Sequence, residues 1–205
     1  MARFEKLDDM SSEYYDVLSE LGNIGAGNAA TALATMLQCK MDITVPKVRL
    51  MGFNEVCHAI GGEEHIVVAL DLMVEGDITG SIMFLMDEQS AHLLVEKVMG
   101  MPTEKGNTFS EMELSAIKEI GNIIVGAYLN SLATLTNMMV APSVPYLSID
   151  MAGAILSVAA IEFGMIGDKI MMIETQIRDD EAINGYFMLM PDLKSYEKIL
   201  ASLGL

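Results

Sequence analysis

The chain repeats itself, and this restricts its fold more than any other feature. Asp16-Val-Leu-Ser-Glu20-Leu-Gly22-Asn23-Ile24-Gly-Ala-Gly27 aligns at an offset of 99 with Ser115-Ala-Ile-Lys-Glu119-Ile-Gly121-Asn122-Ile123-Ile-Val-Gly126. Without a gap, the same offset pairs Leu33-Ala34-Thr35 with Leu132-Ala133-Thr134 and Val45-Pro46 with Val144-Pro145. Ten of these 31 aligned positions are identical, more than chance gives an ungapped window. Near offset 105, Gly80 and Met83 align with Gly185 and Met188, Asp87 with Asp192, and Ser90 with Ser195. Gly100 and Gly204 close the copies. The repeats run from about 10 to 100 and from about 110 to 205, and the polar, turn-rich stretch 101–109 is the linker. Each copy is small and ends in a strand and a short helix. The expectation is therefore one domain, 1–205, fused with pseudo-two-fold symmetry.

Periodicity supplies the elements. Residues 11–38 read as a long helix, with Val17, Leu18, Leu21, Ile24, Leu33, Met36 and Leu37 apolar at helical spacing and Ser11 or Ser12 as cap. Its counterpart starts at Ser110, which forms a capping-box pattern with Glu113. Pro46 and Pro145 stop helical continuation. Strands are expected over 45–53, 65–74, 78–86, 144–149, 169–177 and 185–190, and helices from Asp87 to Gly100, over 151–162 and from Asp192 to Leu203. Residues 54–60 are ambiguous and fit a short helix. The fold class is α+β: an antiparallel β-sheet with two long motif-bearing helices.

Charge narrows the partners. Twelve Lys and Arg against 29 Asp and Glu give a net charge of −17. So acidic a chain is a poor binder of nucleic acid, which needs clustered cations, and of anionic membrane surfaces. There is no signal-peptide pattern, and the most apolar stretch, 152–173, is broken by Glu162, Asp168 and Lys169. A soluble, cytoplasmic protein without membrane insertion is expected. Cys39 and Cys57 form no CxxC and read as reduced core thiols. The 19 methionines fit an irregular core first and an adaptable contact surface second.

Steps of four, three and four place Asp16, Glu20, Asn23 and Gly27 on one helical stripe, and Ser115, Glu119, Asn122 and Gly126 on the other. Each helix thus offers a carboxylate and a carboxamide one turn apart. Glycine inside a helix costs about 1 kcal/mol relative to Ala. Gly22, Gly25 and Gly27 therefore imply close approach, by the other helix, by a partner, or by both on different sides. Glu and Asn build no nucleophilic triad. Asn does not titrate, but it donates and accepts hydrogen bonds at once, which suits it to hold a water in line. Phosphoryl hydrolysis relies on such positioning.

The pattern Asp/Ser-x3-Glu-x2-Asn-x22-Pro occurs twice, as Asp16, Glu20, Asn23, Pro46 and as Ser115, Glu119, Asn122, Pro145. With the run Gly22-Asn23-Ile24-Gly25-Ala26-Gly27-Asn28-Ala29-Ala30, it resembles the CheC/CheX/FliY phosphatase family of bacterial chemotaxis over essentially the whole chain. The resemblance implies a hydrolase that removes the phosphoryl group from the phospho-aspartate of the response regulator CheY. It implies that Asn23 and Asn122 position the water and that Glu20 and Glu119 pair with a regulator Lys, with Asp16, Ser115, Pro46 and Pro145 supporting. It implies no cofactor or metal of the chain's own, because Mg²⁺ sits on the regulator. It also implies a heterodimer with the receptor deamidase CheD. The segment Ser148-Ile149-Asp150-Met151-Ala152-Gly153-Ala154 resembles the family's docking region, with Asp150 imitating the substrate glutamine. An N-cap role for Asp150 is the plainer alternative.

Other readings are weaker. His58, His65 and His92 make no zinc spacing with the cysteines. Gly22–Gly27 lacks the Lys-Ser/Thr of a nucleotide loop. Asp71, Glu75 and Asp77 read as a strand-turn-strand, and residues 178–181 as a solvated turn. The competing class is a non-catalytic CheD-binding adaptor or a flagellar-switch-like scaffold; intact Glu/Asn pairs in both halves favour the enzyme.

Overall fold

The structure is a computed structural model describing residues 11–37, 42–43, 47–103, 109–163, 169–178 and 182–205. Its elements, in chain order, are α1 (Ser12–Leu37), β1 (Asp42–Ile43), β2 (Lys47–Gly52), α2 (Phe53–Ala59), β3 (Ile66–Gly76), β4 (Gly80–Asp87) and α3 (Glu88–Met99). Then follow α4 (Glu111–Thr136), β5 (Val140–Pro142), β6 (Tyr146–Met151), α5 (Ala152–Phe163), β7 (Lys169–Arg178), β8 (Ala182–Pro191) and α6 (Leu193–Ser202). The antiparallel α+β expectation holds. α1 spans Ser12–Leu37 within the expected 11–38, and α4 starts at Glu111, directly after the expected Ser110 cap.

The central strands alternate between two apolar layers, as a period of two requires. Leu70 and Leu72 of β3, Phe84 of β4 and Phe187 of β8 face the cluster that holds α1, α3, α4 and α6. Ala69, Leu85 and Met188 face the cluster that holds α2 and α5. Sandwiched between helices on both faces, β4 is buried from Ser81 to Met86. The methionines fall in both places, core and surface. Met86, Met172 and Met188 are fully buried, whereas Met112 and Met139 are 69% and 79% exposed.

The sheet runs β1-β7-β8-β4-β3-β5, with β2 also on β7 and β6 also on β3. The strands after α1 therefore join the hairpin of the second half, and those after α4 join the hairpin of the first. The β4–β8 ladder sets Met83 opposite Met188, the residue aligned with it in the sequence. The caps cross over in the same way. Asp87 accepts from Ser90 N and Asp192 from Ser195 N. Ser90 Oγ then accepts from Asn184 N of the second half, and Ser195 Oγ from Thr79 N of the first.

Burial pushes the Asp192 carboxyl up, but hydrogen bonds from Thr79 and Ser195, helped by Lys198, outweigh it and hold it below its ordinary value. A carboxyl lowered by folding adds stability that is complete above its unfolded pKa, about 3.9, and lost as pH falls through the folded value. Asp192→Ala is expected to lower stability by about 1 kcal/mol at pH 7. The deficit should shrink in acid, and urea unfolding at neutral and acid pH measures both effects.

β1 and β5 are additions to the expected strands. Their two and three residues carry no pattern of their own and are defined by pairing with β7 and β3. Most of the ambiguous stretch 54–60 does form a helix, α2, which starts at Phe53 and ends at Ala59. Cys57 is buried, and burial, with Glu63 adding, raises its thiol above the ordinary value against its own backbone hydrogen bond. Asp71 receives the Ser81 hydroxyl, and Asp77 Oδ2 accepts from Met139 N at 2.7 Å, as strand and turn residues would. Cys39, Pro46, most of the linker and residues 179–181 lie outside the described residues.

Candidate active site on the paired helices

α1 and α4 lie side by side on one face of the sheet. The glycines that cost each helix stability have separate tasks. A Cβ on Gly25 would stand 2.6 Å from the Tyr128 ring, so this glycine admits an aromatic side chain of α4. Tyr128 is fully buried, and burial raises its phenol well above the ordinary value. A Cβ on Gly22 would come within 3.1 Å of Ile173, and one on Gly121 would run into Leu70, so these two seat the helices on the sheet. Gly27 and Gly126 have nothing within 4 Å of a built Cβ. Helix packing and outward openness are thus both present, on different sides. Asn28 Nδ2 donates to Ser131 Oγ at 2.7 Å, which ties the helices together beyond the glycine contact.

Each helix is further anchored near its start. The Tyr15 hydroxyl donates to Val48 O at 2.8 Å and holds α1 to β2. Ser110 N donates to Glu113 Oε2 at 2.7 Å and Glu113 N to Ser110 Oγ at 3.3 Å, the reciprocal cap expected from the sequence. Phe109 stacks on His92 of α3 with ring centroids 4.0 Å apart.

The sequence-predicted residues fall on these two helices. Asp16, Glu20, Ser115, Glu119 and Asn122 are exposed. Asn23 departs from the expected open carboxamide: it is half-buried, and its Oδ1 is shielded from solvent and meets no donor among the described residues. A buried acceptor without a donor costs roughly 1–3 kcal/mol. Ser115 turns its hydroxyl back to Glu111 O at 2.9 Å. Pro145 sits in the turn between β5 and β6, half-buried.

The second candidate region lies at the β6–α5 junction. Asp150 is an exposed strand residue, and its Oδ1 accepts from Met151 N at 2.7 Å. It is not the helix cap. α5 begins at Ala152, and the Ala152 and Gly153 N–H groups donate to His65 O at 2.8 Å and Glu63 O at 2.9 Å. A loop far away in sequence does the capping and leaves Asp150 outside it. Beside Asp150 is a groove of about 340 Å³ whose lining includes Tyr146, Ile155 and Val158. Tyr146 and Val158 are exposed, as is Met151 next to them. The sequence reading missed this groove because its lining also includes Asp71 of β3 and Met83 of β4, which only the sheet register brings beside β6 and α5.

His58 and His65 are exposed and His92 packs on Phe109. Among the described residues no group of three or more His, Cys, Asp or Glu is placed to hold a metal ion, and no helix is long and apolar enough to cross a membrane.

The chain is 36% identical over 200 residues to the CheY-P phosphatase CheC of Bacillus subtilis, covering 95% of this chain and 96% of that protein. It is 28% identical over 141 residues to the flagellar motor switch phosphatase FliY of the same organism, covering 68% of this chain and 36% of that protein. The crystal structure of Thermotoga maritima FliY superposes with a TM-score of 0.74 over 96% of this chain and 98% of that one; at 21% identity the likeness is one of fold. The CheC-like family matches residues 15–49 and 112–149, so that each matched segment contains one Glu/Asn stripe. On this identity across both full lengths, the chain belongs to the CheC-like family.

Proposed function

We propose that the chain is a phosphatase of phosphorylated CheY, with one Glu/Asn face on α1 and one on α4. The observation that carries this reading is the paired stripe itself: a carboxylate and a carboxamide one turn apart, twice, on helices anchored to a rigid sheet. Asn23 and Asn122 hold a water in line with the phosphorus of the phospho-aspartate. The water oxygen bonds to phosphorus as the aspartyl P–O bond breaks, yielding inorganic phosphate and a free carboxylate. Glu20 and Glu119 pair with the regulator's Lys and fix the register. Mg²⁺ comes with the regulator, so an acidic chain need not bind phosphate by itself. The two segments are fused copies of one unit, a reading supported by the crossed strands and caps.

The β6–α5 junction docks the deamidase CheD, with Asp150 at its centre. Supporting this are the exposure of Asp150, the adjoining groove and the apolar surface at Tyr146, Met151 and Val158. The helix's own cap makes no use of this carboxylate.

The pairing role predicts a charge-reversal effect. CheY carrying beryllofluoride and Mg²⁺ should bind the chain more tightly than free CheY. Glu20→Lys with Glu119→Lys should weaken that binding at least about tenfold, because like charges face each other. Titration calorimetry reads both affinities. Equal binding by the double variant would contradict the pairing.

A further inference from the structure

The exposed face of each helix begins one turn before the repeated motif. On α1 it reads Glu13, Asp16, Glu20, Asn23, Gly27, and on α4 it reads Met112, Ser115, Glu119, Asn122, Gly126. Steps of three and four hold each set on one stripe. The chemistry-bearing positions agree and their surroundings do not. The α1 stripe carries three exposed carboxylates, and no ion pair among the described residues engages them. On the α4 stripe the carboxylate is Glu119. Glu111 lies at the edge of that face and the exposed Lys118 offsets it. Ser115 supplies no charge, and its hydroxyl is committed to the backbone of α4. Where α1 has Glu13, α4 presents a methionine that is 69% exposed. The capping box and the Phe109–His92 stack fix the turn that displays it.

We propose that the two faces recognise the phosphorylated regulator by different physics: the α1 face by electrostatic attraction through Glu13 and Asp16, and the α4 face by an apolar contact through Met112. This rests on the phosphatase reading above, and the occupant is the same regulator at both faces, because Met112 continues the stripe of Glu119 and Asn122. Attraction between exposed charges is screened by salt over a Debye length of about 10 Å at 0.1 M. An apolar contact is not screened, and an unbranched thioether adapts to an irregular partner surface.

The test uses the full chain with one face at a time. Asn23→Ala leaves the α4 face and Asn122→Ala leaves the α1 face. KM and kcat for phosphorylated CheY are measured between roughly 0.05 and 0.5 M salt. The α1-face protein should show a KM that rises about fivefold or more, and the α4-face protein a change of less than about twofold. In the α4-face protein, Met112→Glu should raise KM about fivefold at high salt with kcat unchanged, and Met112→Leu should not. Adding Ser115→Asp to Met112→Glu should confer the salt slope of the α1 face. Met112 is exposed, so an unchanged melting temperature is expected for each variant. A KM for the α1 face that is flat or falls with salt overturns the proposal, as does an unchanged KM for Met112→Glu or an inactive single-face protein. If wild type itself fails to hydrolyse phosphorylated CheY, the phosphatase reading falls and this proposal with it. Hydrolysis without the salt contrast removes this proposal alone.

Discussion

Replacing Asn23 and Asn122 together with alanine is expected to return phospho-CheY to its own rate of decay. The chain's contribution should fall at least about 100-fold, or roughly 2.7 kcal/mol of barrier, a modest share of what in-line placement of a nucleophile can supply. The fold should survive. Asn122 is exposed, and Asn23 Oδ1 meets no donor among the described residues, so its removal costs no hydrogen bond and relieves a buried acceptor. Circular dichroism and thermal melting of the double variant should match wild type. The single variants should differ. Asn122 stands in solvent on a helix whose first turn is capped and stacked, while Asn23 is half-buried. Losing Asn122 should therefore cost more than losing Asn23. A double variant that hydrolyses as fast as wild type would rule out water positioning by these residues.

Reversing the charge of Asp150 should separate the two proposed surfaces. Asp150→Lys is expected to weaken CheD binding by about 30-fold or more, the order of effect for one charge turned against its partner in an interface. Phosphatase activity of the isolated chain should not change. α5 packs on the sheet face opposite α1 and α4, and Asp150 contributes no cap to it. Its local hydrogen bond to Met151 N is the structural loss expected. Quantitative pull-down or calorimetry with CheD measures the first effect and phosphate release the second. Unchanged CheD binding would remove Asp150 from the docking surface.

Much of this architecture was legible because it is written in local chemistry. The spacing of Leu18, Leu21 and Leu33, the Ser110–Glu113 box and the Asp87 and Asp192 caps each act within a few residues, and each element stands where its signals place it. What stayed hidden depends on distant partners. β1 and β5 exist only by register with β7 and β3. That α1 delivers its strands to the other hairpin is a pairing choice no local pattern encodes. The N-cap alternative for Asp150 failed because carbonyls at Glu63 and His65 reach the first turn of α5 across the fold. The candidate site divides in the same way. The Glu/Asn stripes follow from helical period, but the different exposures of Asn23 and Asn122 follow from packing. The glycines show both regimes: the sequence flagged their cost, and only Tyr128, Ile173 and Leu70 reveal which of them close contacts require.

Turnover of phosphorylated CheY can be followed directly. The direct measurement is inorganic phosphate release from CheY held phosphorylated by a small phosphodonor, with the chain present at about one-twentieth of the regulator concentration. Release should accelerate in proportion to added chain and continue through many turnovers, and Asn23→Ala with Asn122→Ala should abolish the acceleration. A release rate that stays at the regulator's own value, or that saturates after one equivalent per chain, would contradict the account.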